Sequence, residues 1–240
     1  MKRYVDCRHL PAGEMPQMAP ADAAIVTAWQ AARLAGKNSL PADTVIVIPD
    51  FLNYARLLNT GQAATMLKLS GSMGKAMPPG VAAALSTART PLAAAGMDFW
   101  VIARALLTYD MALIPSAFAG SILLHSYLAD LAFALNRRQF VVAFFRACKR
   151  VQPGIQTQQL AAALSCLQNW DCPPALFQFL YSPRSGTSPA LDAAREHDFY
   201  ARTSFLPDVA NLPVDLQQAL IRGVDAEPWW AGCTVSPSAL

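Results

Sequence analysis

Charged residues are scarce in this chain. Of its 240 residues, 15% are charged and 54% are hydrophobic, a balance that excludes a disordered or heavily solvated protein. A chain of this length can bury a substantial core, as one large domain or as two small lobes. The surplus of apolar side chains favours a protein that also packs against copies of itself.

Catalytic and metal-binding motifs are also lacking. His9, His125 and His197 lie far apart, and none stands at a zinc-ligand spacing from a cysteine. Glu196, His197 and Asp198 are consecutive, so on a helix their side chains would point about 100° apart and could not converge on one atom. No nucleophile elbow or dinucleotide fingerprint occurs. We therefore predict no enzyme, no catalytic residue, no metal and no cofactor, although a site assembled from distant residues stays open.

Residues 61–80 contain the glycines and the lysine of a phosphate loop but lack its pattern. Leu69 stands five positions before Gly74, where the loop needs glycine, and Ala76 follows the lysine where the loop needs serine or threonine. The remaining polar side chains can contact phosphate oxygens without chemistry, or they are ordinary solvated residues. They are Lys68, Ser70, Ser72 and Lys75.

Signals for export and membrane insertion are missing as well. The N-terminal residues lack the apolar centre of a signal peptide. The five unevenly spaced cysteines favour reduced thiols in a cytosol over a disulfide framework. Residues 111–129 form an uncharged run of 19, close to the roughly 20 residues that span a bilayer. Pro115 and Gly120 interrupt this run and Asp110 and Asp130 close it, so we predict a buried helix hairpin and no membrane insertion.

Apolar periodicity predicts an all-α fold with a two-lobed helical core and an extended N-terminal arm. Residues 1–36 form the arm, which ends in an oligomerisation helix. Residues 37–114 and 115–181 form the two lobes, and residues 182–240 form a C-terminal extension. Helices are expected over 21–34, 51–58, 98–114, 116–135, 138–150, 158–168, 190–203 and 213–222. Residues 45–48 are a β-branched run too short to support a sheet alone.

The arm helix carries Ile25 and Trp29 at helical spacing. We expect both side chains to dock on a neighbouring subunit, as an amphipathic helix does in a groove. Packing of Trp29 on the core of its own chain is the simpler alternative. Trp229 and Trp230 near the C-terminus indicate a second docking site.

Basic residues interrupt the apolar core helices on one side. Arg104 lies in an apolar helix and needs a carboxylate or an external anion as a partner; Asp110 is the local candidate. The cations near the end of the helix over 138–150 have an alternative explanation, because they also suit the helix dipole. We predict a basic lip made of Arg137, Arg138, Arg146, Lys149 and Arg150.

Several blocks along the chain occur in the order known from one family. They are the Trp29 helix, MLKLSGSMGKA at 66–76, residues 98–104, PSAFAG at 115–120, and YLADLAFAL followed by VVAFFRACKRVQP. In this order the chain resembles the nucleoproteins of segmented negative-strand RNA viruses of the phlebovirus and tenuivirus kind, over about residues 21–164. The segment 77–114 is shorter than in that family, and the region after Cys172 is longer and unlike it. Coat proteins of flexuous plus-strand plant viruses share the run Arg138-Gln139-Phe140 and are the near alternative.

The resemblance implies a viral nucleocapsid protein that binds single-stranded RNA without sequence specificity in a basic cleft between two lobes. Its arm would join identical subunits into a ring or a helical filament, giving a ribonucleoprotein in the virion and the host cytoplasm with a viral polymerase as a further partner. The implied RNA contacts are Lys68, Ser70, Lys75, Arg104, Arg137, Arg138, Arg146, Lys149 and Arg150, with Arg89 a weaker match. The alternative from another class is a cytosolic helical enzyme or effector whose apolar pocket binds a small anionic molecule.

Overall fold

Eight short strands form a closed parallel barrel in the computed structural model of the chain. The structure describes residues 2–10, 14–19, 22–36, 40–41, 43–51, 99–148, 150–181, 194, 197–222 and 232–239. Each strand pairs in parallel with the next one along the chain, and the last pairs with the first. The strands are β1 Arg3–Asp6, β2 Ala23–Thr27, β3 Val45–Ile48, β4 Ser121–Leu124, β5 Gln152–Thr157, β6 Leu176–Leu180, β7 Ser204–Asp208 and β8 Cys233–Val235.

Helices follow the strands on the outside of the barrel, which makes the architecture that of a TIM barrel. The described helices are α1 Ala28–Gly36, α2 Phe99–Leu113, α3 Ser126–Ala134, α4 Arg138–Ala147, α5 Leu160–Asn169 and α6 Val214–Ile221. Short 3₁₀ turns lie at Asp198–Tyr200 and Pro237–Ala239.

The strands are apolar on both faces, because one face packs inside the barrel and the other packs against the helices. Alternate residues of each strand point inward. The inward residues form one compact cluster of Ile25, Val45, Val47, Leu123, Leu176 and Leu206, with Tyr4 against it. The outward residues join the helices in the main core, which includes Val5, Val26, Ile46, Ile122 and Phe177.

The prediction of an all-α, two-lobed fold is therefore wrong. The predicted helix over 21–34 contains strand β2, and α1 starts only at Ala28. The predicted helix over 116–135 contains strand β4, and α3 starts at Ser126. A four- or five-residue run that is buried on both faces has no alternation of polar and apolar residues, so periodicity alone does not separate it from a buried helix.

The predicted extended arm is also wrong, because Arg3–Asp6 is a barrel strand held between β2 and β8. Strands come from all four predicted segments of the chain. The run Val45–Ile48 was correctly identified as β-branched, but it does not need to support a sheet alone, since seven other strands complete the barrel.

Four of the predicted helices are confirmed to within a few residues, namely those that correspond to α2, α4, α5 and α6. The predicted helix over 190–203 is wrong where the structure describes its second half, because residues 197–203 contain a 3₁₀ turn at Asp198–Tyr200 and no α-helix. The helix over 51–58 beyond Phe51, the phosphate-loop-like segment 61–80 and the pair Trp229 and Trp230 lie outside the described residues. All five cysteines are free.

The uncharged run at 111–129 is divided among the end of α2, a loop, strand β4 and the first turn of α3. In the described part of the chain, no helix combines the length and the apolar character needed to cross a bilayer.

Candidate active site

Polar side chains form a layer inside the barrel, directly above the apolar inner cluster. On several strands, the last inward side chain at the carboxyl end is polar: Asp6 lies two residues after Tyr4, Thr27 two after Ile25, and Asp208 two after Leu206. Gln156, Gln178 and Thr234 belong to the same layer. In a closed parallel barrel, these ends face the mouth where ligands bind.

The mouth contains a cavity of about 560 Å³. Seven of the eight strands contribute residues to its wall, either from their last positions or from the loops that follow them. A volume of this size suits a small organic molecule. The polar and aromatic residues that line it include Arg8, His9, Asp50, Phe51, His125, Tyr127, Gln156, Gln178 and Asp208.

A bidentate salt bridge with Asp6 holds Arg8 at the mouth of the barrel. The Arg8 Nε and Nη2 atoms donate to the two Asp6 carboxylate oxygens at 2.8 Å each, and Arg8 Nη1 lies 3.5 Å from Gln156 Oε1. Burial alone would raise the pKa of Asp6, but the bonds and the charge of Arg8 hold that pKa below its ordinary value. The charge of the guanidinium is thus neutralised within the barrel.

Asp208 is a half-buried carboxyl group without an ion-pair partner among the described residues. Its Oδ1 atom accepts a hydrogen bond from the Ala210 backbone N–H at 3.1 Å, and its Oδ2 atom lies 3.4 Å from Gln178 Nε2. Burial raises the pKa of Asp208 to about 6, against the opposing effects of the Ala210 bond and of Arg8. A carboxyl group with this pKa can both take and give a proton near neutral pH.

Gln178 is fully buried, and only one of the two polar atoms of its side-chain amide has a hydrogen-bond partner among the described residues. Its Nε2 atom donates to Thr234 Oγ1 at 2.9 Å, whereas its Oε1 atom has no hydrogen-bond partner among the described residues. Asp208 fixes this orientation, because turning the amide over would bring Oε1 against a carboxylate oxygen. An unused acceptor of this kind in a cavity wall indicates a place for a ligand donor.

Aromatic rings form one side of the mouth, which we call the aromatic rim: Phe51, His125 and Tyr127. The His125 ring stacks on Tyr127 with centroids 5.1 Å apart, and Phe51 meets His125 edge-on at 5.1 Å. His125 Nδ1 accepts from the Tyr127 backbone N–H at 3.2 Å, so the proton of the neutral ring is on Nε2. Burial, assisted by the charge of Arg8, lowers the pKa of His125 to about 4.

Two further carboxylates hold the loops of the mouth in place. Asp110, which is fully buried on α2, accepts from the Asp50 backbone N–H at 2.8 Å. Asp130 on α3 accepts from the Thr157 hydroxyl and, at 3.0 Å, from the Gln158 backbone N–H. Searched over the described residues, the chain has no group of three or more potential metal-ligating side chains.

Those predicted RNA contacts that the structure describes do not line the cavity. Arg104 is exposed on α2, and its proposed local partner Asp110 is instead bonded to the backbone of Asp50. Arg137 lies over the Trp100 ring at 5.7 Å, and Arg138 donates twice to the Trp170 carbonyl at 3.2 Å. Arg137 and Arg138 adjoin each other at the start of α4, whereas Arg146 and Arg150 are exposed at its far end. Lys68, Ser70, Lys75, Arg89 and Lys149 lie outside the described residues.

The two predicted oligomerisation residues lie within the barrel fold. Ile25 is fully buried inside the barrel, so it has no surface with which to contact a second copy. Trp29 packs on Tyr109 of α2 with ring centroids 5.7 Å apart, as the simpler alternative proposed. The premise of an exposed amphipathic arm helix was wrong, because residues 23–27 are a strand.

Sequence reasoning missed the residues that line the cavity. A recurring pattern in the sequence could have identified them. Short apolar runs end in a polar residue several times along the chain, as in RYVD, AAIVT, SILLH, GIQ, LFQ and FLPD. Each run resembles a helix fragment in isolation, but together they form the parallel strands of one barrel.

Comparison of the chain with protein-family models, with curated proteins and with solved structures found no match. Function must therefore be inferred from the geometry of the cavity.

Proposed function

We propose that this chain is an enzyme that binds a small polar molecule in the barrel mouth and uses Asp208 to take and give a proton. The observation that carries this proposal is the convergence of charged and amide side chains from separate strands on one cavity of about 560 Å³. The fold alone supports many activities, so the proposal depends on these residues rather than on the barrel.

The role of each residue follows from its contacts. Asp208 is half-buried beside the cavity and lacks a counter-ion among the described residues, so a bound substrate offers its best proton partner. Asp6 orients the Arg8 guanidinium, which lies 3.5 Å from Gln156 Oε1. His125, neutral at physiological pH, can donate its Nε2–H to a substrate oxygen or nitrogen.

A metabolite-depletion assay with a matched variant tests the proposal. The purified protein is incubated with a defined set of small polar metabolites, and each compound is followed by mass spectrometry. We expect at least one compound to be converted by the natural protein and not by Asp208→Asn. The control is Asp171→Asn, which makes the same chemical change at an exposed left-handed position that asparagine also accepts. If no conversion depends on Asp208, the proposal is wrong.

RNA binding stays a separate proposal, together with self-assembly, a viral polymerase as partner and a location in virion and host cytoplasm. What supports it is the exposure of Arg104, Arg146 and Arg150 and the lack of carboxylate partners for them among the described residues. Absorbance at 260 and 280 nm after purification, with and without nuclease, tests it. Protected RNA fragments would favour the nucleoprotein, and a nucleic-acid-free protein that ignores added RNA would exclude it.

A further inference from the structure

The cavity wall has one unpaired hydrogen-bond acceptor next to a carboxylate that has no counter-ion. Gln178 Oε1 is buried without a donor, and the neighbouring Asp208 carboxylate accepts hydrogen bonds but lacks an ion-pair partner in the described part of the chain. The two side chains are in contact, because Gln178 Nε2 donates to Asp208 Oδ2 at 3.4 Å. A ligand that satisfies both must bring N–H or O–H donors to one small area.

The charges in the mouth favour a positive ligand. Arg8 is the only lysine or arginine among the described lining residues, and its guanidinium is already neutralised by Asp6. Asp208 adds a further carboxyl group to the same wall, without an ion-pair partner among the described residues. An anionic ligand would therefore meet uncompensated negative charge, which selects against it.

The aromatic rim favours the same kind of ligand. Phe51, His125 and Tyr127 are in mutual ring contact, and Tyr127 keeps 66% of its surface exposed although it lines the cavity. Ring faces carry partial negative charge and attract cations, and they also accept planar apolar groups.

We propose that the substrate of this enzyme carries a protonated nitrogen, an ammonium or amidinium group, which donates to Gln178 Oε1 and pairs with Asp208 while the remainder lies against the aromatic rim. This inference rests on the function proposed above and adds the substrate class to it.

Three probes of similar shape and different charge test the inference: benzamidinium, benzamide and benzoate. Isothermal titration calorimetry near neutral pH and at low salt should show benzamidinium binding at least about tenfold more tightly than benzamide, with no measurable binding of benzoate. Asp208→Asn should remove most of the preference for benzamidinium over benzamide, and Asp171→Asn should leave it unchanged. Gln178→Met should weaken benzamidinium binding about tenfold, because the acceptor is lost. A thermal unfolding curve for each variant establishes that it is folded.

Equal or tighter binding of benzamide or benzoate, absence of binding by all three probes, or a preference that survives Asp208→Asn would overturn the inference. These outcomes are distinct from failure of the proposed function. An Asp208-dependent conversion of a neutral or anionic metabolite, without a preference for benzamidinium, retains the enzyme and rejects the cationic substrate. Binding of benzamidinium without any Asp208-dependent conversion rejects the enzyme.

Discussion

Asp208 opposes the stability of the fold that contains it. Its carboxyl group is partly withdrawn from solvent near another carboxyl, Asp6, and the nearby Arg8 is paired with Asp6. Burial of a charge without a direct partner is unfavourable unless a ligand supplies that partner. Such a residue is expected at a functional site, where stability is traded for chemistry.

Asp208→Asn should therefore stabilise the protein at neutral pH. The folded-state pKa of about 6 lies above the ordinary value of 3.8, so the contribution of this group to stability is present below pH 3.8 and is lost as the pH rises through 6. Urea unfolding should show the variant more stable by roughly 3 kcal/mol above about pH 7 and equal to the natural protein below about pH 4. Asp6, Arg8 and His125 titrate or carry charge nearby in both proteins, so their contributions largely cancel. A stability difference that does not change with pH would contradict this account.

The pair of Asp6 and Arg8 gives the second residue-scale prediction. Arg8→Met leaves Asp6 as a buried carboxylate without its partner, since the two side chains are only 8% and 15% exposed. We expect a loss of about 3–5 kcal/mol in the free energy of unfolding. The control is Lys2→Met, which removes the cation of a pair that is 31% and 68% exposed and should cost less than about 1 kcal/mol. Equal losses in the two variants would show that Asp6 is not held as a buried charge.

Single residues of the site were the hardest features to predict from the sequence. Asp208 and Gln178 have no local motif, because their neighbours in the site come from strands that are distant in the chain. The basic residues were conspicuous in an apolar sequence, yet five of them are exposed on helices α2 and α4 or just beyond them. The basic residues that stand out in the sequence lie on the solvated surface, whereas the charged residues of the site lie inside the barrel.

Among the elements, strand β5 depends on a residue with no side chain. A Cβ atom added at Gly154 would lie 2.5 Å from the Leu176 carbonyl oxygen of β6 and 2.3 Å from a Leu123 methyl of β4. Gly154 thus allows three neighbouring strands to approach one another closely inside the barrel. Pro153-Gly154 follows the predicted helix over 138–150 and resembles a helix end in the sequence, because glycine and proline more often punctuate helices than occur within strands.

Gly154→Ala should destabilise the protein, because the backbone oxygen of Leu176 cannot move without disturbing the β5–β6 ladder. We expect a loss of about 1–3 kcal/mol or more in urea unfolding. Gly36→Ala is the matched control, since a Cβ added at the end of α1 meets nothing within 4 Å, and it should change stability little. If both variants unfold at the same urea concentration, the close approach at Gly154 is not structurally important.

Long helices were predicted well and short strands poorly, for one physical reason. Helices α2, α4, α5 and α6 each have a solvent side, so their sequences carry a period of 3.6. The strands have no solvent side, and β2, β3 and β4 contain no polar alternation that would distinguish them from buried helix. A search for short apolar runs at regular spacing between helices would have predicted the parallel barrel.

At the scale of the whole molecule, the barrel is assembled from both ends of the chain. β1 begins at Arg3 and pairs with β8, which ends at Val235. Removing residues 1–36 deletes β1, β2 and α1, and it leaves β8 and β3 each with one unpaired edge. If residues 1–36 were the oligomerisation arm of a nucleoprotein, their removal would instead leave the RNA affinity of each subunit unchanged and abolish filaments.

We expect instead that the protein without residues 1–36 does not fold. Its circular dichroism spectrum should lack a cooperative thermal transition, and it should aggregate on size-exclusion chromatography. The full chain, measured in parallel, provides the control. A soluble truncated protein with a cooperative transition would be incompatible with a barrel closed by β1.

A ring of strands has no first or last member. Each strand of the barrel has a neighbouring strand on both sides, so the sheet has no free edge. A peptide or a second molecule therefore cannot extend this sheet by adding a strand. Among the described residues, a contact with a neighbouring molecule would therefore be made by the helices and loops around the barrel or at its mouth, and not by extension of the sheet.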